Sequence, residues 1–437
     1  MSEQTNEPVI ERPPVTSDVE PQKRIGRIRI STTNLRTYTM VFALIFIWVF
    51  FHYASSPGTP SFAWPWDGLD VFFGALKNHF VYFFSFEWVG EGIFLSSRNF
   101  SNLMRQTAVT GVLAVGMLMI IVTGQIDLSV GSLVGLAGGV SVMVLTWLGW
   151  GLVPAIVASL VVGVIIGALQ GSLVAYANIP AFIVTLGGLL VWRGAIKGLS
   201  QGNTIPIALP AYKAIGQSYV APVAGIVVAA LAVAAIVWLN LRKVRARARY
   251  GLAGQGAVQT TLRIVVPSLV VVAFILALNS YAGVPIPVII LLAIAVLGAF
   301  LTQNTTFGRY LYAIGGNPDA ARLSGISLRR HILMVFCLMG ALAGVAAVIY
   351  TARVGSASPD AGVLLELDAI AACVIGGASL MGGRGTIFGA CLGALFMASL
   401  DNGMSLKNVP DFMQDIVKGS ILVAAVGVDM LGRRKTS

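Results

Sequence analysis

Apolar stretches broken only by glycine and small polar residues recur along the chain from Met40 to Val428. A bilayer core takes about 20 apolar residues per spanning helix. On that measure the runs predict an all-α, polytopic helical membrane protein of about twelve transmembrane helices. The expected spans lie near 38–54, 106–123, 129–147, 153–176, 180–198, 219–239, 262–279, 288–303, 332–351, 366–381, 386–400 and 411–430. The polar stretches complete the division of the chain. They are a flexible tail over 1–37, a loop-rich insertion over 55–105, a basic loop over 240–261, a long polar segment over 304–331 and a basic tail over 432–437. One run inside the insertion differs from the others. From Val71 to Phe86 it is rich in aromatics yet carries Lys77, Asn78 and His79 at its centre. That pattern suits a helix lying in the interface with its rings at headgroup depth. Reading it as a further span would reverse the side of every later basic loop.

Composition agrees with a bilayer as solvent. Of 437 residues 57% are hydrophobic and 11% charged, whereas soluble domains are roughly 45–50% apolar. The net charge of +11 invites a nucleic-acid reading, but no basic stripe follows one face. The cations instead cluster beside apolar runs: Lys23, Arg24, Arg27, Arg29 and Arg36, then Arg242, Lys243, Arg245, Arg247 and Arg249. Two further groups are Arg309, Arg322, Arg329 and Arg330, and Arg433, Arg434 and Lys435. Excess Lys and Arg marks cytoplasmic loops, so both termini are expected in the cytoplasm, with 55–105 on the opposite side. The polar, proline-containing start reads as a tail and not as a secretory signal. Cys337, Cys373 and Cys391 are far apart inside apolar runs, and His52, His79 and His331 are scattered. No disulfide framework, metal site or cofactor is expected from them.

Glycine placement predicts how the helices pack. Gly131, Gly135 and Gly139 fall four apart, as do Gly163, Gly167 and Gly171, and the pairs Gly340 with Gly344 and Gly389 with Gly393. Such spacing puts small residues on one helix face, where backbones approach closely without hydrophobic drive from lipid. Frequent glycine in membrane helices accounts for single pairs. Two consecutive triplets favour a dense bundle.

Nothing in the chain hydrolyses ATP by itself. A P-loop needs Gly-Lys within its phosphate cradle, and that dipeptide does not occur. No serine triad, thiol nucleophile or paired-carboxylate arrangement appears, so energy must come from a partner or a gradient. The segment 304–331 holds the sharpest local signal. Asn317 suits an N-cap, Pro318 the first helical position, Asp319 the positive helix end, and Gly325 the stop. Ala320 and Ala321 leave room for a partner surface, Leu323 offers an apolar knob, Arg322 a charge, and Ser324 completes the turn. These residues suit either a docking helix or a solvated connector between spans.

The stretch Asp319-Ala320-Ala321 with Gly325 after three further residues resembles the Glu-Ala-Ala-x-x-x-Gly loop by which permeases of ATP-binding-cassette importers dock on their ATPase. It departs in carrying Asp for Glu and in lacking the later Leu-Pro. The wider sequence resembles the ribose/xylose branch of sugar-importer permeases in collinear order over about 92–431. The matching stretches are GQIDLSVG at 124–131, PAFIVTLGG at 180–188, FGRYLYAIGGNPDAARLSGIS at 307–327, ELDAIAACVIGGASLMGG at 366–383, ASLDNGMS at 398–405 and VKGSILVAAVGVD at 417–429. Two added spans around Arg242–Arg249, with NSYAGVPIPV at 279–288, resemble the D-xylose type, while the added stretch 57–91 departs from it. The resemblance implies a multi-pass subunit of a bacterial inner membrane, working as a homodimer. It also implies a cytoplasmic ATP-binding subunit and a periplasmic sugar-binding protein as partners, with residues 317–325 transmitting the stroke.

Three acids stand in or beside apolar runs, where charge is costly and marks function by default. Asp127 precedes Leu128 and Ser129, and Glu366 and Asp368 stand at the start of the expected span 366–381. Helix capping is the favoured reading of all three. A proton path through them belongs to the rival reading, an ion-coupled secondary transporter. A second rival keeps the cassette machinery and changes the cargo to ribose, galactose, several sugars or another small solute.

Overall fold

The computed structural model describes residues 32–61, 69–249 and 257–434. The expected tail as far as residue 31, the residues Trp64, Pro65 and Trp66, the tip of the basic loop at 250–256 and the last three residues lie outside the described residues.

Helix α1 (Thr32–Ala54) carries the first apolar run, and α2 (Leu69–Ser85) and α3 (Trp88–Glu91) lead to α4 (Ser97–Val122). Next come α5 (Val130–Thr146), α6 (Leu152–Ala175) and α7 (Ala181–Ser200), then the two-residue strand β1 (Ile205–Pro206), α8 (Pro210–Gln217) and β2 (Tyr219–Val220). The pair α9 (Pro222–Arg249) and α10 (Ala257–Asn279) is followed by β3 (Val284–Pro285) and α11 (Ile286–Asn304). Then α12 (Thr306–Gly316) and α13 (Pro318–Leu323) precede α14 (Leu328–Val354) and β4 (Ser356–Ala357). The chain closes with α15 (Leu365–Ile375), α16 (Ile387–Leu406) and α17 (Asp411–Arg434). Among the described residues eight helices are long and apolar enough to cross a membrane, namely α4, α6, α7, α9, α10, α11, α14 and α16.

The bundle is built around α4. Beyond its polar first turns it is apolar on every side, which suits a stretch with no lipid-facing or aqueous face, and it is buried without a break from Thr107 to Val122. Helices α11, α14, α15 and α16 pack around it, and α6 lies along α14. By contrast α9 and α10 pair mainly with each other at the periphery. Their outer surfaces, including Val223, Leu231, Leu269 and Val270, are exposed and suit contact with lipid.

At about 1.5 Å per residue α4 separates the two ends of the bundle by roughly 39 Å. Near Ser97, Asn99 Nδ2 donates to Asn402 Oδ1 at 2.7 Å and Ser280 Oγ to Ser97 Oγ at 2.7 Å. The antiparallel ribbons β1–β4 and β2–β3 close the same end. Helix α2 is held there too, with Tyr53 Oη 2.8 Å from His79 Nδ1 and Ser56 Oγ bonded to Tyr82 Oη. At the far end Gly383 N donates to the Val122 carbonyl at 2.9 Å. The backbone of Gly315, in α12, also lies against that carbonyl.

Several boundaries differ from the sequence expectation. Helix α4 starts at Ser97 and not near 106, because the Ser96 side chain accepts from Asn99 N and caps the helix there. Helix α9 runs to Arg249, so the basic cluster extends a helix where a loop is expected, and α1 begins at Thr32, inside the expected tail. The polar segment after α11 opens with the 11-residue α12, capped by Thr305. The largest departure is the expected span 366–381. Helix α15 has 11 residues, about 17 Å at ~1.5 Å each, too short for a core of about 30 Å. A glycine-rich loop from Gly376 to Thr386 follows it, with positive φ at Gly377, Gly382, Gly383 and Gly385.

Candidate functional site

Helix α13 stands at the Val122 end of the bundle. The Asn317 side chain accepts from Ala320 N at 3.0 Å, Pro318 occupies the first helical position, and Asp319 and Arg322 fall in the first and last turns. After the C-cap Ser324, Gly325 turns at φ +82° and Ile326 N returns to the Ala321 carbonyl at 3.1 Å. A residue with a Cβ is strained at that φ. Only Ala321 is buried, at 4%, and it anchors the helix, whereas Leu323 is 90% exposed. The result is a rigid short helix with an outward apolar knob beside Arg322.

A second site lies where regular helix gives way inside the bundle. From β4 the chain runs inward without helical hydrogen bonding until Leu364, at φ +64°, starts α15. Arg193 of α7 holds this stretch, its Nη1 donating to the carbonyls of Pro359 at 3.1 Å and Ala361 at 2.6 Å. Gly135 receives the Ala361 carbonyl, and Gly131 receives the Gly362 backbone and the Glu366 carboxylate. Irregular backbone at this depth is tolerated only when protein or an aqueous cavity surrounds it.

Asp127 belongs to the loop that delivers α5 into the same region. Its Oδ1 accepts from Ser129 N at 2.8 Å and Ser129 Oγ at 2.7 Å, and Gln170 Nε2 donates to Ser129 Oγ at 2.8 Å. Ser129 is the N-cap residue, and Asp127 braces it from two residues upstream. Glu366 and Asp368 both fall in the first turn of α15. Glu366 is 7% exposed and its Oε2 has no hydrogen-bond partner. Asp368 faces α17 instead, and Lys418 Nζ lies 3.5 Å from it and 2.8 Å from Asp401 of α16.

The two glycine triplets serve different surfaces. Gly163, Gly167 and Gly171 all lie on α14. Added methyls there would strike the Gly340 carbonyl, the Phe336 carbonyl and the Phe336 Cβ respectively. In the other triplet Gly131 and Gly135 admit the irregular stretch, and Gly139 meets Ile196 of α7. Sequence reading misses Arg193, Gln170, Lys418 and Asp401. Three of these are charges inside or beside apolar runs, the signal that singled out Asp127, Glu366 and Asp368.

With this geometry in view, comparison with known proteins is informative. A family profile described as branched-chain amino acid transport system / permease component matches residues 99–247 and 248–426. The xylose transport system permease protein of Escherichia coli is 47% identical over 351 residues, covering 80% of this chain and 89% of the relative. That of Haemophilus influenzae is 46% identical over 346 residues, covering 79% and 92%. The ribose import permease protein of Escherichia coli is 34% identical over 336 residues, covering 77% and 87%. No solved structure matches the chain.

Proposed function

We propose, for a chain that belongs to the family described as branched-chain amino acid transport system / permease component, the role of translocation subunit in an ATP-driven, binding-protein-dependent sugar importer. D-xylose or a related monosaccharide is its cargo, and a bacterial inner membrane its site. The observation that carries this reading is the 47% identity to a xylose transport system permease over 89% of that protein's length. The 34% identity to a ribose import permease keeps ribose and other monosaccharides as the alternative cargo.

The geometry supports a mechanism of alternating access in a permease dimer. Helix α13 is the lever on which a separate ATP-binding subunit pushes, with residues Asn317 to Gly325 transmitting the stroke. It shares its bundle end with Arg242–Arg249, which reach there along α9 from β2, and with Arg329 and Arg330 beside it. Positive-inside bias makes that end cytoplasmic and supports cytoplasmic termini, since α1 begins and α17 finishes there. The ribbons, α2 and α3 then face the periplasm, where a binding protein delivers sugar. Helix α2 lies in the outer interface, with Phe73, Phe80 and Phe84 exposed. We count about twelve membrane-embedded segments, α15 serving as a half-span.

The test is a reconstituted complex of the chain with its ATPase and binding protein, assayed with a panel of pentoses and hexoses. ATP hydrolysis and uptake stimulated by D-xylose above hexoses support the reading. Uptake that survives ATP depletion and collapses with an uncoupler refutes it.

A further inference from the structure

We propose that the cavity between α15, α16 and α17 is a binding site for a neutral polyhydroxylated solute, held by Asp368, Asp415 and Lys418. The inference rests on the transport reading and adds to it the residues that meet the cargo.

The cavity has a volume of about 220 Å³ and a mostly apolar lining that includes Leu367, Met397 and Leu422, into which these three charged residues are set. Liquid water takes ~30 Å³ per molecule, so the space equals roughly seven waters. That is room for one monosaccharide ring.

The polar wall selects by hydrogen-bond chemistry. An ammonium group has three donors and no acceptor, and an ionised carboxylate offers acceptors only. Lys418 Nζ lies 3.5 Å from Asp368 Oδ1 and 2.8 Å from Asp401 Oδ1, so the wall joins an ammonium to carboxylates. Asp415 on the same wall is exposed and adds a second carboxylate to Asp368, which is 6% exposed. The site therefore sets carboxylate acceptors beside an ammonium donor. Adjacent hydroxyls, each both donor and acceptor, satisfy it. An anion meets surplus negative charge, and a cationic ligand competes with an ammonium already in place. The apolar wall suits the C–H face of a ring.

The position agrees with the chemistry. The cavity sits at the head of α15, where irregular backbone from Ala361 to Leu364 penetrates the bundle. Membrane transporters form solute sites at broken helices of this kind. Helix α17 packs chiefly on α15 and α16, so a shift of α17 opens or closes the cavity.

The test uses the full-length chain reconstituted with its ATPase and binding protein. Leu422→Cys is alkylated with a maleimide and read at that position by peptide mass spectrometry, with Val423→Cys, on the exposed face, as control. D-xylose at a saturating uptake concentration is expected to slow alkylation at 422 at least threefold, with no effect at 423 and none from maltose at either position. In parallel, Asp368→Asn and Lys418→Met are expected to raise the KM for D-xylose uptake at least tenfold. If alkylation at 422 is indifferent to D-xylose while the parent chain transports it, this site is overturned and the transport reading stands. An unchanged KM with a reduced amount of folded protein overturns it too, since that is how a mere tether for α17 behaves. If the parent chain moves no monosaccharide, both readings fall.

Discussion

Gly163→Ala adds one methyl at the point where α6 and α14 come closest. The new Cβ falls on the Gly340 carbonyl, and the reciprocal methyl at Gly340 falls on the Gly163 carbonyl. Backbone sits on both sides, so no side-chain rotation relieves either clash and the helices must separate. Overpacking of a well-packed site costs about 1–3 kcal/mol, against about 0.5–1 kcal/mol gained from replacing helical Gly with Ala. Separation also stretches the Ser159 Oγ bond to the Gly344 carbonyl, now 2.9 Å. Gly187→Ala in α7 is the control, because its methyl would meet nothing within 4 Å. Only the propensity gain remains there. In SDS titration of the purified protein in mild detergent, Gly163→Ala is expected to unfold earlier than the parent and Gly187→Ala no earlier. The double variant Gly163→Ala with Gly340→Ala is expected to lose less than the sum of the singles, because one separation accommodates both methyls. Equal midpoints for Gly163→Ala and Gly187→Ala would refute the close-packed interface.

Three further outcomes are expected. Charge reversal at Arg322 together with Leu323→Asp should abolish ATP-driven uptake while the protein stays in the membrane fraction, and normal uptake would remove α13 from the coupling role. Asn317→Ala should cost about 1 kcal/mol through loss of the cap, read as faster amide exchange over 318–324, and unchanged exchange would contradict the cap. Arg193→Met should cost about 1.5–3 kcal/mol, because it removes the charged hydrogen bonds to the Pro359 and Ala361 carbonyls. Folded yield measures it, and a normal yield would show that the stretch from Pro359 to Leu364 is held by other contacts.

The membrane class, the run of long helices and the bounds of α13 were legible before any coordinates, because each rests on local chemistry. Apolar length specifies a span, and an Asn–Pro start with a Gly stop specifies a short helix wherever it lies. The Gly163, Gly167 and Gly171 face was legible for the same reason, since 3.6-residue periodicity alone aligns it. Partners across space were not. Gly131 and Gly135 carry the same spacing, yet the surface they meet is irregular backbone from more than 200 residues further along the chain. The early end of α15 at Ile375 was hidden because residues 366–381 are as apolar as those of a full span, and the path of the chain before it depends on Arg193, which reaches from α7 to the Pro359 and Ala361 carbonyls. The meeting of Lys418 with Asp368 and Asp401 likewise depends on three helices converging. Sequence by itself thus determined the solvent and the local elements, which short-range patterns encode. Tertiary structure decided where helix yields to irregular backbone and which buried charges meet, because desolvation and hydrogen-bond satisfaction are settled between segments and not within them.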